Sequence, residues 1–159
     1  MPTEINASSR NCTGTYGIVV STYNSNITNK LLDGAVETLT AAGLSSHEIV
    51  VAKVPGAWEL PLAAKLFAEQ RKVVAVLVLG AVIRGETTHD QHINRAVSNA
   101  LMELMTSTGK PIAFGLLTCN TLEQAIHRSG GNVGNKGCEA AEAALEMVRL
   151  TRALDAARH

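Results

Sequence analysis

The residues best equipped for chemistry cluster in Gly80–His92, GAVIRGETTHDQH. Two hydroxyls, two imidazoles and a carboxylate lie side by side in Thr87-Thr88-His89-Asp90-Gln91-His92. An imidazole titrates near neutrality, so His89 suits proton transfer. Three readings stay open. His89 serves in acid–base catalysis, or it is a capping or surface residue, or it binds a metal with His92 and Asp90. Histidines three apart share a helix face, but a metal usually takes a third or fourth ligand and the spacing suggests none. Thr87 and Thr88 fit simple helix capping or a grip on phosphate. Arg128 closes a short helical pattern just before glycines. There it is either a cation favoured by the helix dipole or a bidentate phosphate clamp. Lys136 opens a helical pattern, where the dipole disfavours a cation, which inclines it toward anion binding.

Two glycine patterns come close to nucleotide sites and miss. Gly80–Gly85 has the GxxxxG outline of a P-loop, but Glu86-Thr87 follow where Lys and Ser/Thr are required. In GGNVGNKG (Gly130–Gly137), Lys136 is preceded by Asn135 and followed by Gly137, and no strand leads in. No GxGxxG follows a strand, so a dinucleotide site is unsupported. Aromatics make up only 3% of the chain, so each merits attention. Tyr23 and Trp58 fall just past strand ends and suit a platform for a flat ring, whereas Phe114 lies inside a strand. Each is equally a candidate for the core.

Positioning these groups requires an ordered scaffold. With 46% apolar and 18% charged residues, the chain can build a core. Balanced charges, 14 basic and 14 acidic, leave no electrostatic footprint for nucleic acid or anionic membrane. Cys12, Cys119 and Cys138 are widely spaced with no CxxC pair, which points to reduced thiols in a cytoplasm, and Cys119 and Cys138, with no adjacent base, read as inert. No signal pattern or membrane-length apolar run is expected to direct the chain elsewhere.

Residues 1–14 read as a flexible N-terminal arm, and 15–159 as a single domain. Strands are expected at Tyr16–Ser21, Ile49–Val54, Val73–Leu79 and Ile112–Thr118. Helices are expected over 27–42, 61–70, 90–108, 122–128 and 135–154. A turn over Gly80–Gly85 joins the third strand to its helix, and a Gly-rich break spans Ser129–Gly134. The alternation predicts an α/β fold: a three-layer αβα sandwich, flavodoxin-like, with a four-stranded parallel sheet. The arm is free to pair with a neighbouring subunit. Ligands of such sheets bind at strand carboxyl ends, where Gly80–His92 begins.

The chain resembles the lumazine synthase family. The resemblance is carried by Tyr23-Asn24, Val54–Pro61 (VPGAWELP), Leu79–His89 (LGAVIRGETTH), Phe114-Gly115, Glu123–Ile126 with Arg128, and Gly134–Gly137 (GNKG). It covers about Gly14 to Leu150. It implies condensation of 5-amino-6-(D-ribitylamino)uracil with 3,4-dihydroxy-2-butanone 4-phosphate to 6,7-dimethyl-8-ribityllumazine, with loss of phosphate and water. By motif position, Tyr23 would stack on the pyrimidine. Ala57, Trp58 and Glu59 would contact the ribitylaminouracil, as would Ala81, Val82 and Ile83 through backbone groups. Glu86 and Thr87 would offer backbone N–H groups, and Thr87 its hydroxyl, to the butanone phosphate. His89 would transfer protons. Phe114, Arg128 and Lys136 would come from the adjacent subunit of a pentamer, with Arg128 on the phosphate. The resemblance implies no cofactor and no metal. It also points to assembly of pentamers into a sixty-subunit shell, with a lone pentamer as the competing state and riboflavin synthase as a candidate enclosed partner. Asp90-Gln91-His92 departs from the family, where an aromatic often follows the histidine. Asp90 is then a candidate partner for His89 or His92. Two alternatives stand beside this: a non-catalytic lumazine or flavin binder, and a metal-dependent hydrolase using His89 and His92.

Overall fold

Short β-branched runs with apolar residues on both faces must be covered by helices on both sides. The computed structural model describes residues 1–158; His159, the last residue of the expected domain, lies outside the described residues. The elements in order are β1 (Thr15–Ser21), α1 (Ser25–Ala41), β2 (Ile49–Val54), α2 (Leu60–Ala68), β3 (Val73–Ile83), α3 (His89–Thr108), β4 (Ile112–Cys119), α4 (Leu122–Arg128), β5 (Ser129–Gly131), β6 (Gly134–Asn135) and α5 (Lys136–Ala157). β1 to β4 form a parallel four-stranded sheet in the order β2-β1-β3-β4. The expected αβα architecture is therefore present.

Side chains alternate across the sheet and divide the core in two. Ile18, Val20, Ala75, Leu77 and Leu79 pack with Ile27, Leu31 and Leu39 of α1 and Ala141, Ala144 and Leu145 of α5. Val19, Val76 and Val78 pack on the other face with Leu60, Ala64 and Phe67 of α2 and Val97 and Leu101 of α3. α1 and α5 meet without a side chain between them: a Cβ on Gly137 would sit 1.9 Å from the Leu31 carbonyl oxygen. Only glycine permits that approach.

Two expectations near the site are corrected. Gly80–Gly85 is not a turn. β3 runs on through Gly80 to Ile83, because Gly80–Ile83 pair in register with Leu116–Cys119 of β4. The linker to α3 is Arg84–Thr88. The Gly-rich break at Ser129 is also ordered, as a small antiparallel hairpin of β5 and β6. Gly130 and Gly134 there have positive φ, 113° and 109°, a backbone state glycine adopts at no steric cost.

The arm is exposed over most of residues 1–10 and tied down beyond them. Arg152 donates to the Asn11 carbonyl (3.0 Å) and also to the Thr13 carbonyl. Cys12 is buried, and its carbonyl accepts from the hydroxyl of fully buried Tyr16 (2.8 Å). Burial holds that phenol well above its usual pKa. The Gly14 N–H donates to Glu48 Oε2 at 2.9 Å.

Candidate active site

Parallel order reverses between β1 and β3, and a crevice opens there beyond the strand carboxyl ends. Three connections build its walls. The β1–α1 turn is tied to the end of β2, because the Thr22 N–H donates to Val54 O (2.8 Å) and the Tyr23 N–H to Pro55 O (3.0 Å). Asn24 follows with φ +62°, the left-handed state Asn tolerates better than most residues. Its Nδ2 donates across the crevice to Ala81 O at 3.1 Å. After β2, a tight turn closes when the Gly56 N–H donates to Glu59 Oε2 (3.1 Å). Trp58 and Tyr23 are left 63% and 74% exposed, which is unusual for large rings and fits a surface awaiting a partner.

β3 forms the floor. Its pairing with β1 ends at Val20 and Leu79, while its pairing with β4 continues to Ile83. Beyond Leu79 the β1 side of β3 is thus free of strand pairing, and apart from the Ala81 carbonyl, which Asn24 Nδ2 occupies, its peptide groups are available to a ligand. α3 then begins at His89, and its N–H donates to the Thr87 hydroxyl at 3.3 Å. Thr88 stands at the N-cap position without a side-chain capping bond. The resulting cavity of about 360 Å³ is lined by Tyr23, Ala57, Trp58, Glu59, Ala81, Val82, Ile83, Thr87 and His89, with Asn24, Gly56, Gly85, Asp90 and Ile93. Glu86 is exposed on the same loop and does not line it.

Asp90 is a candidate partner for His89 or His92 on sequence, but no ion pair joins it to either among the described residues. Instead its Oδ1 is shielded from water and has no hydrogen-bond partner among the described residues, as is Asn94 Oδ1 one turn on. Among the described residues no group of three His, Cys, Asp or Glu is placed to hold a metal ion.

Phe114, Arg128 and Lys136 gather in a second cavity, of about 350 Å³, that shares no lining residue with the first. Phe114 projects from β4 and is 41% exposed. Arg128 ends α4, with Nη1 donating weakly to Gln124 O at 3.4 Å. Lys136 starts α5 because Asn135 caps that helix. Asn135 Oδ1 accepts from the N–H groups of Gly137 (2.8 Å) and Cys138 (3.2 Å), and its Nδ2 donates to Lys30 O (3.0 Å). Leu116, Leu117, Thr118, Cys119, Val133 and Glu139 complete the lining. Burial pushes the Cys119 thiol up in pKa, with the Arg128 charge opposing it, so this thiol stays protonated at neutral pH.

Sequence reasoning missed Asn24 and Glu139 as site residues. Asn24 carried a signal, an Asn directly after the strand-end tyrosine. Glu139 carried the spacing of one helical turn from Lys136.

One chain therefore carries two separate cavities. One has rings, open backbone and an imidazole, and the other has two cations and an aromatic ring. A family model described as 6,7-dimethyl-8-ribityllumazine synthase matches residues 14–152. The 6,7-dimethyl-8-ribityllumazine synthase of Rhodopirellula baltica is 53% identical over 137 residues, 86% of this chain and 88% of the relative. That of Syntrophus aciditrophicus is 50% identical over 137 residues, 86% of this chain and 89% of the relative.

Proposed function

The chain belongs to the 6,7-dimethyl-8-ribityllumazine synthase family, and we propose how its two half-pockets carry out the reaction. The enzyme is a transferase of riboflavin biosynthesis. It condenses 5-amino-6-(D-ribitylamino)uracil with 3,4-dihydroxy-2-butanone 4-phosphate to 6,7-dimethyl-8-ribityllumazine, releasing phosphate and water.

In this reading Tyr23 stacks on the pyrimidine, and Trp58 with Ala57 and Glu59 borders the ribitylaminouracil. The open edge of β3 at Ala81, Val82 and Ile83 supplies backbone donors and acceptors to the ring. The Thr87 hydroxyl and the N–H groups at Glu86 and Thr87 meet the butanone phosphate. The Glu86 carboxylate points away from it, as like charges require. The 5-amino group attacks the ketone and loses water to give a Schiff base. Phosphate then leaves, the resulting enol becomes a ketone, and the ribitylamino nitrogen attacks that ketone and expels a second water to close the ring. His89 moves protons in these steps, a role typically worth about 10²–10⁴-fold. Holding two substrates in register contributes up to about 7–11 kcal/mol.

A phosphate is held more tightly when cations join the N–H donors, and the first cavity contains no Lys or Arg in its lining. This observation carries the proposal. Arg128 and Lys136 stand in the other cavity, so the reading completes each site with Phe114, Arg128 and Lys136 of an adjacent subunit. That requires a closed ring, read here as a pentamer, with pentamers assembling into a sixty-subunit shell. A riboflavin synthase that consumes the product is the candidate guest. The reading places the enzyme in the cytoplasm, in keeping with its three free cysteines. Among the described residues no helix is long and apolar enough to cross a membrane.

Mixing both substrates with the protein should give lumazine fluorescence that depends on each component. A folded protein producing none would be a binder of such molecules rather than a synthase. Activity should persist in chelator; its loss would favour the metal-dependent hydrolase reading of His89 and His92.

A further inference from the structure

The second cavity holds a carboxylate that a phosphate site does not explain. Glu139 lines it together with Arg128 and Lys136, yet a negative side chain beside an anion weakens its binding. Lys136 and Glu139 are three apart on α5 and share a face. Neither belongs to any of the ion pairs formed among the described residues. The Glu139 side chain also makes none of the hydrogen bonds found there, and it is exposed to the cavity. A first-turn acid does complement the helix dipole. That would account for an acid anywhere on the first turn, not for one turned into a cation-lined cleft.

A carboxylate only accepts hydrogen bonds. The part of the cleft beside Glu139 therefore suits a neutral group rich in donors, next to the anion held by Arg128. Of the two substrates, the ribityl chain is such a group, with a run of hydroxyls, and two neighbouring hydroxyls can share the two oxygens of one carboxylate. Resting on the functional reading above, we propose that Glu139 accepts hydrogen bonds from the ribityl hydroxyls and sets the specificity for a polyol chain. Lys136, one turn away on the same face of α5, leaves the carboxylate free of an ion pair among the described residues.

The test compares the full-length enzyme with Glu139→Ala and Glu139→Gln, using the natural uracil and a 6-alkylamino analogue that lacks hydroxyls. Steady-state KM values and calorimetric binding of each uracil are measured, with thermal melting as the control for folding. For the natural uracil, Glu139→Ala should raise KM and Kd by about tenfold or more, the size expected for hydrogen bonds to a charged acceptor. Glu139→Gln, which keeps the shape and one acceptor, should fall between. The alkyl analogue should bind wild type and variants alike, and KM for the butanone phosphate should stay within about twofold. Equal losses with both uracils, a shift confined to the phosphorylated substrate, or no shift would each overturn the assignment. If wild type itself made no lumazine, the functional reading would fail; the calorimetric comparison would still decide the role of Glu139.

Discussion

His89 occupies the first position of α3, and the Thr87 hydroxyl takes up its backbone N–H, so its ring is placed by backbone geometry rather than by a charged partner. Replacing it should leave the cavity and both substrate-binding surfaces intact. His89→Ala is expected to lower kcat by about 10²-fold, the low end for acid–base catalysis, with both KM values little changed. Abolished turnover in a folded variant would mean that the imidazole does more than carry protons. Arg128 differs, because among the described residues its guanidinium makes one weak hydrogen bond, 3.4 Å to Gln124 O. Arg128→Ala should raise KM for the phosphorylated substrate by about 10- to 100-fold, the loss of a charge-assisted pair, and leave KM for the uracil unchanged. An unchanged phosphate KM would remove the clamp role. His89 and Arg128 stood out in the sequence because their residue types are chemically distinctive. Glu139 did not, because an acid in the first turn of a helix already has a sufficient explanation in the dipole.

The elements that carry these groups depend on a few polar contacts that the sequence only partly reveals. Asn135 satisfies two free N–H groups of α5 and reaches Lys30 O on α1, so it fixes both the start of α5 and the place of Lys136. Asn135→Ala should cost about 1–2 kcal/mol. That would appear as a lowered urea midpoint with an unchanged slope; an unaffected midpoint would show that solvent replaces the cap. At the other end of the chain, backbone N–H groups of Gly14 and Ser45 hold the Glu48 carboxyl below the usual carboxylate pKa. The folded value is depressed, so this contribution is complete above the unfolded pKa and fades as pH falls through the folded one. Glu48→Gln should therefore flatten the acid limb of the stability curve and leave the alkaline limb alone. An acid limb identical to wild type would contradict it. The sheet and its helices were legible because apolar runs and helical spacing repeat over many residues. The course of β3 past Gly80 was not. Glycine there reads as a turn, and only the register with Leu116–Cys119 shows the strand continuing. The β5–β6 hairpin was hidden for the same reason, since a glycine cluster gives no periodicity to read.

At the scale of the whole molecule, the two cavities lie on one chain without sharing a lining residue, and their separation makes a prediction that neither alone could. If each working site takes His89 from one subunit and Arg128 from the next, two crippled variants can repair each other. In a ring assembled from equal amounts of His89→Ala and Arg128→Ala, a site has an intact His89 half of the time. Its neighbour independently supplies an intact Arg128 half of the time. About one quarter of sites should then be fully wild type in such a closed, head-to-tail ring. The variants would be unfolded together, refolded together and assayed below the KM of the phosphorylated substrate, where each alone is slow. Activity should rise to about a quarter of wild type, well above the mean of the two variants refolded separately. A site built within a single chain would give that mean and nothing more, because no amount of mixing could place an intact His89 beside an intact Arg128.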